Sequence, residues 1–152
     1  PNHNAGLVTA ALLRKIGVNV DLQQMDWGTV VSRRGVKEAP VDGRGGWNLF
    51  ITTGRAVNML TPPLMGAISG NGPERGWYGW PTDPRIEQYK DAIATSARLE
   101  DKQAAARNLH RAILETVPWV NFGYWKDLAA WRSNLKGIIA SPMPVFWNIE
   151  KP

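Results

Sequence analysis

Apolar positions recur at helical spacing most clearly between Leu99 and Thr116. Leu109, Ala112, Ile113 and Thr116 fall at i, i+3, i+4 and i+7, with Ala105 one turn earlier on the same stripe. Arg107, His110, Arg111 and Glu115 turn toward solvent, and Glu100 and Asp101 occupy the first turn, where carboxylates meet the positive end of the helix dipole. Pro118 closes the element, because a residue before proline is pushed out of the α region. The run Trp119-Val120-Asn121-Phe122-Gly123-Tyr124-Trp125 that follows is aromatic and β-branched, which predicts a buried strand.

The same periodicities divide the rest of the chain. Asn4 to Ile16 predicts a helix, capped by Asn4 and stopped by Gly17. Val18 to Met25 alternates apolar and polar with period two, as a half-buried strand does. Trp27 to Arg34 predicts a second helix, with Asp26 as cap and Gly35 as stop, followed by a polar loop from Lys37 to Gly46. Trp47 to Thr53 is apolar enough for the inside of a sheet. Gly54 to Asp83 passes without sustained periodicity, and its Trp77, Tyr78 and Trp80 argue for an ordered excursion that contacts a ligand. Asp83-Pro84 restarts a helix whose buried side carries Ile86, Tyr89, Lys90 and Ile93. Leu128 to Arg132 reads as a short strand, and Val145 to Ile149 as a last strand or an extended segment. Helix–strand–helix–strand order predicts an α/β fold with parallel pairing and right-handed crossovers.

Composition narrows the function. A length of 152 residues with 43% hydrophobic content suits one domain with its own core. The net charge of +5 comes from scattered basic residues, with no run longer than a pair such as Arg33-Arg34, and reads as a mildly basic surface. Zero cysteines exclude disulfides and thiol chemistry. No apolar run is long enough to span a membrane, and no signal peptide is recognisable. The chain opens at Pro1, in what reads as a loop entering a helix, and is expected to be a piece of something longer. Eight tryptophans are several times the usual share; most are expected in the core, with two or three in a binding surface.

Catalytic and metal-binding constellations are nearly absent. His3 and His110 have no partners at metal-ligand spacing, so no metal and no cofactor is expected. Gly43-Arg44-Gly45-Gly46 precedes a strand, where a phosphate cradle would follow one, and reads as a loop. Ser69 lacks a nucleophile elbow. An enzyme would have to recruit Asp26, Asp42, Asp83 and His110 in three dimensions. A carbohydrate- or nucleic-acid-binding module using exposed tryptophans is the alternative reading, although interleaved Arg and Trp lie mostly in apolar segments and no nucleic-acid partner is expected.

Six short motifs, in order, resemble the C-terminal part of the family 5 extracytoplasmic solute-binding proteins, the peptide- and nickel-type binding components of ABC importers. They are Leu12 to Val20, Trp47-Asn48-Leu49-Phe50, Trp80 to Ile86, Arg98-Leu99-Glu100-Asp101 with Val117-Pro118-Trp119-Val120, Leu135-Lys136-Gly137, and Phe146-Trp147. The resemblance implies a non-enzymatic, periplasmic or otherwise extracytoplasmic protein that captures a small or peptide-like solute between two lobes and presents it to ABC permease subunits. It implies a periplasmic-binding-protein-like α/β lobe, a mixed sheet with flanking helices. Residues 1–152 would form the C-terminal lobe fragment, partnered by the remaining N-terminal portion of the chain. The segment after about residue 120 would return to the other lobe.

The resemblance also places Asn58 where dipeptide-binding members carry an Asp for the ligand's ammonium, and Thr61 at a second such Asp. A neutral amide cannot form that charge-assisted bond, so a solute not held by a peptide N-terminus is expected. Open α/β sheets bind ligands beyond the carboxyl ends of their strands. On that rule the candidate ligand-binding residues are Trp47, Thr52, Thr53, Gly54, Arg55, Asn58 and Met59, with Trp27 and Trp77 as walls.

Overall fold

The computed structural model describes residues 2–42, 44–126, 128–141, 143 and 145–151. Pro1 of the opening and Gly43 of the glycine-rich loop lie outside them. Among the described residues six α-helices follow in order: α1 (Asn2–Lys15), α2 (Trp27–Arg33), α3 (Ala56–Met59), α4 (Gly72–Arg75), α5 (Pro84–Thr95) and α6 (Leu99–Thr116), with a 3-10 turn at Pro62–Leu64. The opening is already helical, so His3 lies in α1 and not in a loop.

Local chemistry explains the helix boundaries. Asp26 is extended at the start of α2 and its carboxylate accepts the backbone N–H of Thr29 at 3.1 Å. Asp83 caps α5 in the same way through the N–H of Arg85, with Pro84 in the first turn, where the missing N–H costs nothing. At the other end of α6, Val117 sits in the left-handed region at φ 48° and its N–H reaches Ile113 O, so the helix closes one residue before Pro118.

α5 and α6 form the core. Ile86 and Leu109 are fully buried, and Met65, Ile68 and Ala112 pack with them, flanked by Met59, Tyr89, Ile93, Ile113 and Trp119. Lys90, on the buried side of α5, sends its ammonium to Ile68 O at 2.8 Å and pairs with Glu87. Glu87 in turn accepts the N–H of Gly70 at 2.8 Å. The excursion between the second and fifth helices is therefore ordered, as its aromatics implied. Its base is shut by Asp83 N–H to Gly70 O at 3.0 Å and by Gly72 N–H to Pro81 O at 2.9 Å.

The α/β expectation fails. Among the described residues there is no sheet, only isolated pairings at Val41–Arg44, Asn71–Thr82 and Lys136–Glu150. Val18 to Met25, Trp47 to Thr53 and Trp119 to Trp125 carry the side chains that strands favour, yet none finds a neighbouring strand to complete a ladder. β-propensity describes fitness for a pleated, half-buried surface, and that surface has to be supplied by a partner. Among the described residues the mixed sheet with flanking helices is accordingly absent, and of the interior strand expected at Trp119 to Trp125 only Trp119 packs against the core, the rest being solvent-exposed. The tryptophans are corrected with it: none is buried, and Trp147 is 89% exposed. No helix among the described residues is long and apolar enough to cross a membrane.

Candidate functional site

A cavity of about 750 Å³ opens between α1, the segment leading into α2, and the segment from Gly46 to Ile51. Sites for small molecules commonly span about 300–1,000 Å³, so a solute of a few residues' bulk fits it. Leu13, Leu22, Val30, Leu49 and Phe50 give it apolar walls, and Asn2, Asp21, Gln23, Arg33 and Arg34 give it polar groups.

The two adjacent arginines do different things. Arg33 is committed to the protein: its Nε donates to Gly45 O at 3.0 Å and Gly46 O at 3.1 Å, and a terminal nitrogen donates to Gln23 Oε1. These bonds fasten the loop before Trp47 to the end of α2. Arg34 sits among aromatic rings instead. Its guanidinium carbon lies 4.4 Å from the centre of the Tyr78 ring and 5.6 Å from those of Trp27 and Trp77. Ring faces attract such a cation through their quadrupole. The spacing from Trp27 to Arg34 is two helical turns, which brings both onto one side of α2.

The rings also hold one another. Trp47 meets Phe50 edge-on at 4.5 Å, Phe50 meets Tyr78 at 6.3 Å, and Trp77 meets Tyr78 at 4.9 Å. The indole N–H of Trp47 donates to Arg34 O at 3.0 Å, so the backbone and the side chain of Arg34 are both fixed by aromatics. Lys37 repeats the motif in small, with its ammonium 5.4 Å from the Trp80 ring and donating to Pro73 O at 2.7 Å. Two buried polar atoms at this site have no partner: Arg34 Nε and Asn2 Oδ1.

The residues expected from the sequence divide into two groups. Trp47 lines the cavity, while Trp27 and Trp77 flank Arg34 outside its lining. Thr52, Thr53, Gly54, Arg55 and Asn58 are exposed and do not line the cavity. Arg55 precedes α3 as its cap residue without a side-chain capping bond, and Met59 packs against the core. Arg34 and Phe50 are not among the residues the sequence offers for the site, and Tyr78 enters only as part of the aromatic cluster of the excursion. The signal for Arg34 was its Arg-Arg pair two turns after a tryptophan.

The titratable residues weighed for catalysis are dispersed. Asp26 and Asp83 cap helices, His110 is exposed on α6, and of the four only Asp42 lines the cavity. Among the described residues no three His, Cys, Asp or Glu side chains cluster in a way that could hold a metal ion.

No family model matches the chain. It is 36% identical over 148 residues to a protein of Sinorhizobium fredii described as a probable peptide ABC transporter periplasmic-binding protein. The alignment takes in 97% of this chain and 27% of that protein, so the chain spans about a quarter of its relative's length. The resemblance carried by the ordered motifs is thus matched by identity along nearly the whole chain, and the share is consistent with the C-terminal part they implied.

Proposed function

We propose that this chain is the C-terminal part of an extracytoplasmic solute-binding protein, which captures a small or peptide-like solute and hands it to an ABC permease. The observation that carries the reading is the 36% identity to a periplasmic binding protein across 97% of the chain. The protein's work in this reading is binding without chemical change, with the remaining portion of a longer chain supplying the opposite wall. The cavity beside α1 supports it by size and by its mixture of apolar walls and a few polar groups.

Trp47, with Trp27 and Trp77 behind Arg34, forms the solute-facing wall in this proposal. The exposed run from Thr52 to Asn58, together with Met59, forms its outer edge, and the segment after about residue 120 packs against the rest of the longer protein. With Asn58 standing where an acid would hold an ammonium, the solute is anchored by something other than a peptide N-terminus.

The test is thermal unfolding of the full-length protein against a panel of short peptides, blocked peptides and small organic anions. A ligand at 100 times its dissociation constant stabilises a protein by about 2.7 kcal/mol, enough to move the midpoint by several degrees. At least one compound is expected to do this and to be recovered unaltered by mass spectrometry. A panel in which nothing shifts the midpoint, or in which the bound compound is recovered chemically changed, overturns the reading.

A further inference from the structure

We propose that Arg34 is the anchor for a carboxylate group of the solute, so that the ligand class is anionic at the end that enters this cavity. The proposal rests on the solute-binding reading and adds the chemistry of the ligand to it.

The argument begins with what Arg34 lacks. Among the described residues its guanidinium donates no hydrogen bond and has no carboxylate partner, although Arg34 is one of the residues lining the cavity beside α1. Its neighbour Arg33 shows the contrast, because that side chain is held by two backbone carbonyls and a glutamine. Only Nε of Arg34 is sealed from solvent without a partner; the two terminal nitrogens are not sealed. With Nε sealed and the rings of Trp27, Trp77 and Tyr78 centred within 5.6 Å of its central carbon, the guanidinium has lost much of its hydration, while its two terminal nitrogens remain unpaired.

A cation prepared in this way binds an anion at small further cost. The aromatic rings crowd the guanidinium, and the Trp47 indole holds the backbone from which it projects. The side-chain entropy that a free arginine loses on pairing is therefore already lost. Two terminal N–H groups in one plane match the two oxygens of a carboxylate, which a lysine in the same place would not. The acidic residues of the lining, Asp21 and Asp42, form no ion pair with Arg34.

The experiment measures calorimetric binding of two probes to the full-length protein: N-acetyl-dialanine with its free carboxylate, and N-acetyl-dialanine amide. The acid is expected to bind at least about tenfold more tightly than the amide, and to perturb tryptophan fluorescence through the rings around Arg34. Arg34→Gln is expected to remove the preference while leaving the melting temperature of the ligand-free protein close to its original value. Arg34→Lys, which keeps the charge and loses the fork, is expected to leave a reduced preference and serves as the deciding variant if the glutamine protein does not fold. Equal binding of acid and amide, or an undiminished preference in either variant, overturns the carboxylate anchor while leaving the solute-binding reading in place. Absence of binding by both probes overturns the anchor together with a peptide-like solute.

Discussion

The hydroxyl of Thr116 donates to Oδ2 of Asp83 at 2.7 Å, joining the last residue of α6 to the cap of α5 across 33 positions of sequence. The same carboxylate takes the backbone N–H of Arg85 at 3.0 Å, its Nε at 3.0 Å and a terminal nitrogen at 2.8 Å. Arg85 also reaches Glu115 at 2.7 Å, on the more exposed side. One buried acid therefore caps a helix, orders an arginine and closes the α5–α6 hairpin.

Asp83→Asn is expected to lower the unfolding free energy by about 1–3 kcal/mol, because the amide keeps the shape and loses the charge-assisted bonds. Thr116→Val, which removes only the bond across the hairpin, is expected to cost about 1 kcal/mol. Urea unfolding followed by circular dichroism measures both.

Acid sensitivity has a definite sign. The hydrogen bonds from Arg85 hold the Asp83 carboxyl well below the usual carboxylate range, against the opposing pull of burial. Burial also opposes the ionised form of Glu87, and is outweighed there by the Gly70 N–H and Lys90. With both folded-state values depressed, the unfolded chain binds protons at a higher pH than the folded one. Their contribution to stability is complete above the unfolded value of about 4 and is progressively lost as pH falls further. The melting temperature is expected to be level from neutrality to about pH 5 and to fall below pH 4, with a shallower fall in Asp83→Asn.

Leu109→Ala is expected to cost about 2–5 kcal/mol, since the side chain is 0% exposed and its loss leaves a void between α5 and α6. Leu114→Ala on the same helix, at a residue 78% exposed, is expected to change stability by less than about 0.5 kcal/mol. Chemical denaturation of the two variants side by side checks the contrast.

Gly70→Ala is expected to be among the most damaging of the small substitutions. An added Cβ would stand 2.0 Å from the carbonyl oxygen of Asp83, and a backbone atom at that place cannot rotate away. The pairing of Asp83 N–H with Gly70 O has to open, and a loss of about 2–4 kcal/mol is expected by thermal or urea unfolding.

The helices were legible because their signals are local. Asp26 before α2 and Asp83-Pro84 before α5 announce themselves within a few residues, and the Ala105, Leu109, Ala112 stripe of α6 is the buried face observed. Trp119 to Trp125 misled for the opposite reason. Its composition states what a strand needs, while a ladder depends on a second segment that the sequence does not place beside it. The reason for choosing Thr52 to Met59 was the end of a strand, and no strand is found there among the described residues. Trp27, Trp47 and Trp77 were chosen as walls, yet their convergence on Arg34 depends on the way the excursion folds back over α2, which no local pattern records.

Trp77 and Tyr78 are carried on a ring of chain, fastened where Gly70 meets Asp83 and again where Gly72 meets Pro81. A nick at the exposed Glu74–Arg75 bond would not release them, because both cut ends stay gathered at the fastening. The two rings are thus tethered to Arg34 from both ends of one closed loop, while Trp27 reaches the same guanidinium from α2.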